Sequence, residues 1–451
     1  MAYIEPKVLK GFRDFLPNAE IIRRNLTEKI ENTFREFGFV PIDTPAMEYA
    51  EILLGKGGGE TEKQIYRFKD NGERDVALRF DLTVPFARFV ALHRNDLLFP
   101  FKRYHIGKVW RGENTQRGRY REFTQCDFDI IGSDSPISDF EILLLIRTTL
   151  LNLGLDITIH VNHRGLFNRF LSFIGQRDNS VEILRTVDKL SKVGKDETLK
   201  SLSLLTGGDN ANKILEFIGA KGTFTDVLNR IIELSGGTSP ESDRLLAIKD
   251  YMNICVNNGT TNENNKTEPF ILNPSITRGL DYYTGIVFET FLTELPDIGS
   301  ICSGGRYDNL AELYSKDKNS ISGVGSSIGL DRMLAALETL GKLPAANTCS
   351  IAIACINAEK SGEYHSLALQ LRQAGIPCEV FIEPCGEKNL VKQFVLAEKK
   401  GLRFVIVTGE NPLKDPITLR DLSTRSNIEI SSIGELIKKL TEELFKETKK
   451  V

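Results

Sequence analysis

Between Arg164 and Lys266 the sequence changes character. Apolar residues recur at helical spacing in VEILRTVDKLSKV, NKILEFIGA, FTDVLNRIIELSG and SDRLLAIKDYMNICV. The stretches on either side are rich in strand-like runs. A helical block between two strand-rich blocks reads as an inserted domain, with one core split across two stretches of chain. The polar run NNGTTNENNKTE closes the block as a linker by composition. The expected organisation is therefore a core in two parts, 1–163 and 267–343, a helical insertion at 164–266, and a separate block at 344–451.

The flanks carry their own signals. NAEIIRRNLTEKIENTFREFGF has helical spacing and stops at Gly38. QIYRFKDNGERDVALRFDLTVP reads as a hairpin turning at Asn71-Gly72. PFKRYHIGKVW and REFTQCDFDIIG read as two strands joined by the polar loop RGENTQRGRY. After Cys349, SIAIACI, EYHSLALQLRQAG, PCEVFIE, LVKQFVLAEKKG and LRFVIVTGE alternate strand and helix, as in a small α/β domain.

Composition excludes several classes. A chain of 451 residues is too long for one core. No apolar run approaches the roughly 20 residues that span a bilayer, so no membrane role is expected. The opening MAYIEPKVLKGFRDFLP lacks the apolar centre of a signal peptide. Seven cysteines form no C-x-x-C pair, which fits reduced thiols in a cytoplasmic protein and no structural zinc. A net charge of −3 gives no general affinity for nucleic acid, so any RNA contact must be local.

The polar residues inside strand-like runs carry the chemical information. In the run beginning at Arg121, alternate residues share a face. Arg121, Phe123, Gln125, Asp127 and Asp129 therefore point one way, with Arg111 and Glu113 at the end of the preceding strand. Such a face either binds a ligand or is a salt-bridged exposed surface. Gln125 and Asp129 are about 13 Å apart along a strand. A small amino acid with hydrogen bonds at both ends spans about 11 Å, so it fits between them. LRFDLTVP is expected to place Asp81 and Thr83 on one side of a strand, which suits an ammonium group. TRGLDYYTGIVFE sets Arg278 just before, and Tyr282 and Tyr283 between, turn-forming glycines, as an anionic, partly aromatic ligand would require. GVGSSIGLDRM puts small residues before a helix that carries Arg332 in its first turns. GKGGGET lacks the order of a phosphate-binding loop and reads as a flexible loop or as a lid. The five histidines show no metal spacing.

Together these segments resemble the class II aminoacyl-tRNA synthetases, and within them the histidyl-tRNA synthetase family. KGFRDFLP is similar to that family's opening segment, and FREFGFVPIDTPAMEY resembles motif 1, with Pro45 at a dimer interface. FKRYHIGKVWRGENTQRGRYREFTQCDFDIIG resembles motif 2 and GVGSSIGLDRM motif 3. RGLDYYTGIVFE and GGRYD resemble the two histidine-specific signatures.

The resemblance implies an α+β fold: an antiparallel six-stranded sheet flanked by helices, a helical insertion, and a C-terminal α/β anticodon-binding domain. It implies a homodimer that joins L-histidine to histidine tRNA, with ATP as substrate and Mg2+ accompanying it. Asp81, Thr83 and Gln125 would hold the α-ammonium, beside Leu82. Asp129 and Tyr283 would meet the imidazole nitrogens, with Tyr282 lining the pocket. Arg111 and Arg278 would flank the reacting carboxylate and α-phosphate, Arg278 replacing a metal ion there. Glu113, Arg119, Arg121 and Arg332 would line the ATP side. Two non-catalytic relatives compete with this reading: a regulatory subunit of ATP phosphoribosyltransferase, and a sensor of uncharged tRNA.

Overall fold

The structure, a computed structural model, describes residues 3–55, 64–115, 118–188, 190–257, 268–276, 283–314, 320–343, 349–409 and 412–448. Arg278, Tyr282, most of the GKGGGET loop and most of the 257–268 linker lie outside the described residues. The chain divides into two compact units. Unit 1 is Met1–Asp14 with Asn25–Leu343, and unit 2 is Phe15–Arg24 with Pro344–Val451.

In chain order the strands of unit 1 are β1 (Val40–Pro41), β2 (Met47–Tyr49), β3 (Arg67–Lys69), β4 (Asp75–Leu78), β5 (Phe101–Trp110) and β6 (Glu122–Ile131). They continue with β7 (Ile157–His163), β8 (Ile271–Leu272), β9 (Ile286–Leu292), β10 (Cys302–Tyr307) and β11 (Gly323–Gly329). Eight of them form one sheet in the order β1-β5-β6-β11-β10-β9-β7-β8. From β5 to β7 every neighbour is antiparallel, which gives the expected six-stranded core. The short outer strands β1 and β8 add parallel edges. Strands from both sides of the helical block thus share one sheet, with β6 from before it pairing β11 from after it.

Side-chain alternation gives this sheet two different faces. Tyr104, Phe128 and Phe34 cluster on one, with Phe34 on helix Pro17–Glu36 and its ring 4.8 Å from that of Phe128. Gly38, with φ +76°, ends the chain's run from that helix, in the left-handed region that glycine reaches without strain. Helix Pro136–Asn152 also packs on the sheet and buries Ile142, Leu143, Leu145, Ile146 and Leu150. It starts where Ser135 accepts a hydrogen bond from the Ile137 amide and Pro136 occupies its first turn. Arg103, His105, Gln125, Asp127 and Asp129 alternate onto the other face, where helix Thr83–Leu92 covers one end.

Strands β2, β4 and β3 form a small separate sheet. The expected hairpin is present between β3 and β4, but its left-handed residue is Glu73 rather than Gly72. Asp70 explains this. Its carboxylate accepts from the amides of Gly72 and Arg74, and its carbonyl accepts from Glu73, which builds a three-residue loop.

The helices from Arg164–Phe173 to Pro240–Val256 fall within unit 1. Reciprocal caps start two of them, Thr223 with Asp226 and Ser239 with Ser242. Unit 2 holds a five-stranded mixed sheet: β12 (Ile351–Ile353), β13 (Glu379–Val380), β14 (Phe404–Thr408), β15 (Ile417–Asp421) and β16 (Ser426–Ile430). Helices Ser361–Gln373, Leu390–Lys399 and Ile433–Thr448 bury Leu367, Leu371, Ala397, Leu436 and Leu440 against it.

Candidate active site

The polar face of the large sheet opens into a cavity of about 350 Å³. Asp81, Thr83, Arg111, Gln125, Asp129 and Tyr283 all line it, with Glu289, Ser303, Tyr307 and Ser327. Six residues singled out in four distant segments are thereby brought together. Leu82, fully buried between Asp81 and Thr83, is not among the lining residues.

Asp81 and Thr83 do not sit on a strand as expected. β4 ends at Leu78, and Thr83 opens helix Thr83–Leu92. Pro85 accounts for the change, because a proline fits the first turn of a helix and spoils a sheet ladder. Asp81 Oδ1 accepts the Val84 amide at 3.1 Å and so serves the start of that helix. Its other oxygen, Oδ2, is buried with no hydrogen-bond partner among the described residues, and so is Oε1 of Gln125. Gln125 is fixed by donating from Nε2 to Ser327 Oγ at 2.8 Å. Two stranded acceptors in one cavity call for a donor, and burial makes their vacancy costly. Burial also pushes the Asp81 carboxyl up to about 6, against the pull of the Val84 amide and of Arg111. A cationic donor answers both conditions.

Asp129 is held differently. Arg103 faces it across the β5–β6 register, with a guanidinium nitrogen 2.6 Å from Oδ2. The Tyr307 hydroxyl donates to Oδ1 at 2.5 Å. Gly325 lies opposite on β11, and a Cβ there would fall 1.9 Å from Oδ1. Only glycine leaves room for this carboxylate. The missing side chain at Gly325 thus makes room for a side chain of the protein itself.

A second cavity, about 180 Å³, shares Arg111, Gln125, Ser303 and Ser327 with the first. Glu113, Arg119 and Arg332 line it, as do Tyr120 and Phe123. Asp331 is already taken by Arg13 and by the Thr124 amide, and Glu113 faces Arg119 at 3.5 Å. Three guanidinium groups therefore outweigh the carboxylate charge available to them. Burial and the like charges of Arg119 and Arg111 hold Arg332 below the usual arginine range, with Glu113 opposing. Such a cluster is suited to a polyanion. Arg111 stands at the junction, anchored by its Nε donating to the Phe80 carbonyl at 2.9 Å.

Arg121 lines neither cavity. Its guanidinium donates to the Glu113 carbonyl at 3.3 Å, and its stem lies against Gly11. Arg278 and Tyr282 are outside the described residues. Sequence reading missed Arg103, Glu289 and the role of Tyr307. The GGRYD run flagged Tyr307 without assigning it a contact, and β5 alternation would have placed Arg103 on the same face as the cavity.

The chain matches known proteins along nearly its whole length. A family model described as Histidyl-tRNA synthetase matches residues 11–333, and one described as Anticodon binding domain matches residues 350–443. A Histidine--tRNA ligase from Treponema denticola is 48% identical, the alignment covering 97% of this chain and 98% of the relative. The crystal structure of histidyl-tRNA synthetase from Nostoc sp. PCC 7120 superposes with a TM-score of 0.83 at 30% identity, covering 98% of this chain and all of that one. A structure from Bacillus halodurans C, titled as an ATP phosphoribosyltransferase regulatory subunit/histidyl-tRNA synthetase, superposes with a TM-score of 0.70 at 20% identity, covering 90% of this chain and 99% of that one, and shares the fold alone. With the family model spanning residues 11–333 and a relative at 48% identity end to end, the chain belongs to the histidyl-tRNA synthetase family.

Proposed function

We propose that this chain is a histidine--tRNA ligase, which activates L-histidine with ATP and passes the histidyl group to the 3′ end of histidine tRNA. One observation carries the reading: Arg111 joins a cavity with two stranded acceptors to a cavity with surplus guanidinium charge. The acceptors of the first suit an amino acid's ammonium, and the charge of the second suits the phosphates of a nucleoside triphosphate.

The residues then take definite tasks. Asp81, Thr83 and Gln125 receive the three protons of the α-ammonium. Asp129 and Tyr283 meet the imidazole nitrogens, with Tyr282 beside them. Arg111 and Arg278 steady the histidine carboxylate and the α-phosphate. One carboxylate oxygen attacks the α-phosphorus as its bond to the bridging oxygen of pyrophosphate breaks. Charge builds on the phosphoryl oxygens, where fixed guanidinium donors act without reorganisation. A ribose hydroxyl of the tRNA then attacks the histidyl carbonyl carbon, the bond from that carbon to the phosphate oxygen breaks to release AMP, and the hydroxyl proton passes to solvent. Glu113, Arg119 and Arg332 hold the remainder of ATP, and Arg121 supports that side through Glu113.

Among the described residues no group of three His, Cys, Asp or Glu side chains is placed to hold a metal. Glu113 would be the carboxylate to hold a Mg2+ accompanying ATP, since that ion needs one or two carboxylates beside its phosphate ligands. Its part is to neutralise phosphate charge.

Segment 344–451 is assigned to the anticodon and 164–266 to an inserted helical domain between the core parts 1–163 and 267–343. Among the described residues no helix is long and apolar enough to cross a membrane. A cytoplasmic homodimer is the expected form, and light scattering at micromolar concentration tests the dimer. Histidine-dependent exchange of pyrophosphate into ATP tests the function. Its absence, with intact folding, would favour a non-catalytic relative.

A further inference from the structure

We propose that Arg103 is a positioning residue that keeps Asp129 a pure acceptor, and so makes the cavity select neutral imidazole with its N–H toward Asp129. The inference rests on the histidine-activating reading above and deepens it.

Arg103 has no exposed surface. It lies between β5 and the ring of Phe86, whose centroid is 4.1 Å from the guanidinium carbon. Its Nη2 lies 2.6 Å from Asp129 Oδ2 as an ion pair without hydrogen-bond alignment, and none of its three nitrogens has a hydrogen-bond acceptor among the described residues. A buried cation with spare donors is expensive, and apolar residues of similar volume often do as well for stability alone. The pair must then be weighed by what it does to Asp129.

Two states of that carboxyl differ in function. As a carboxylate it can only accept hydrogen bonds; protonated, it also donates. Burial is the largest influence and holds this carboxyl above its ordinary range; Arg103 is the strongest group opposing that rise, helped by the Tyr307 hydroxyl. The remaining charged groups around it pull both ways. Asp127 and Asp81 are carboxyls, Arg79 lies beside His105, Arg111 stands at the cavity junction, and Tyr283 faces Tyr307. Arg103 supplies the charge that meets Asp129 directly. Because it already balances Asp129, a second positive charge on the ligand gains little there. A neutral ring donating one N–H to Oδ1 or Oδ2 is what the site rewards. Tyr307 and the tight fit at Gly325 stop the carboxylate from turning away.

The test compares Arg103→Met with wild type in histidine-dependent pyrophosphate exchange from pH 6.5 to 9. The readout is the ratio of variant to wild-type KM at each pH, so that histidine's own titration cancels. Without Arg103 nothing so close opposes the burial that drives Asp129 toward its protonated form, so the ratio should be at least about tenfold at pH 6.5 and fall toward about twofold at pH 9, with kcat changed less than about threefold. Arg103→Lys should hold the ratio low and flat. Should the Met variant not fold, Arg103→Gln carries the same test. A KM ratio near one, or one raised equally at every pH, overturns the proposal and leaves Arg103 with a packing role only. Wild-type exchange without histidine dependence would instead overturn the function itself.

Discussion

Arg306 and Asp139 meet almost out of reach of water: Nε and Nη2 of the arginine donate to Oδ1 at 2.9 and 2.7 Å. The second oxygen of Asp139 accepts from Nε of Arg244 at 2.6 Å. Arg306 belongs to β10 of the sheet, and Arg244 to helix Pro240–Val256 of the helical block. One buried carboxylate thus ties the inserted sequence to the strand that also carries Tyr307. Asp139→Asn removes the nearest and only fully buried counter-charge of Arg306 among the described residues, leaving Asp308 at 3.4 Å and Asp134 at 3.5 Å, and removing one partner of such a buried pair costs about 3–5 kcal/mol. Arg244→Met leaves the Arg306 pair intact and should cost about 1–2 kcal/mol, as for a lost partly buried charged hydrogen bond. Urea denaturation of unit 1 fluorescence, through Trp110, reads both. Equal losses would mean that the carboxylate has no special place in the network.

Gly325 sets the room for Asp129, and Gly325→Ala is predicted to be far more damaging than one methyl suggests. A Cβ at 1.9 Å from Oδ1 cannot coexist with the carboxylate as placed. The backbone of Phe128 lies 2.8 Å away on the same side, so the strand cannot yield easily. The side chain must swing, breaking its links to Tyr307 and Arg103. Histidine KM in pyrophosphate exchange should rise by about 100-fold, about 2.7 kcal/mol, as the carboxylate loses the hydrogen bond from Tyr307 and the ion pair with Arg103 that hold it toward the cavity. ATP KM should change little, because Gly325 lines only the first cavity. A parallel rise in ATP KM would show that the effect spreads through the sheet.

Asp81 gives the acid side of the pH profile. Its carboxyl titrates at about 6 in the ligand-free cavity because burial disfavours its charge. Below that pH it is protonated and cannot pair with an ammonium, so histidine binding weakens as pH falls. The ligand's imidazole, with an ordinary pKa of about 6.5, adds a second proton in the same direction. The logarithm of kcat/KM for histidine should therefore approach a slope of two below about pH 6. Asp81→Asn should reduce that slope to one and raise KM at pH 8 by about 10- to 100-fold, as for one charged hydrogen bond. An unchanged slope would remove Asp81 from ammonium recognition.

What could be read from the sequence followed from period. Alternation in β6 placed Gln125, Asp127 and Asp129 on one face because that pattern has a period of two wherever a strand runs. The helical block was legible for the same reason, at a period near 3.6. Asp81 and Thr83 were misplaced because LRFDLTVP is too short to separate a strand from the entry to a helix. Arg103 escaped notice because arginine is rarely fully buried, and its pairing depends on the β5–β6 register, which no residue in the run announces. Glu73, left-handed beside Gly72, shows that side-chain bonds from Asp70 override the usual residue preference in that turn.

Arg278 makes the sharpest kinetic prediction. It lies outside the described residues, and its proposed task comes from the likeness of RGLDYYTGIVFE to the family's signature. Tyr283, five residues on, lines the first cavity, and β9 begins at Ile286 within the same run. Under that proposed task the arginine would act on charge that develops in the transition state, not on the bound amino acid. Arg278→Ala should therefore lower kcat for adenylate formation by about 10²–10³, the range for one lost donor to a developing oxyanion. Histidine binding, measured by calorimetry without ATP, should change less than about threefold, since equal loss of both would mean ground-state binding. Arg278→Lys tests the shape of the donor: a lysine keeps the charge but not the planar fork, and recovery of no more than about tenfold is expected. Full recovery with lysine would show that charge alone suffices at the α-phosphate. Equal losses in histidine binding and adenylation with alanine would move Arg278 from the reacting phosphate to the amino acid.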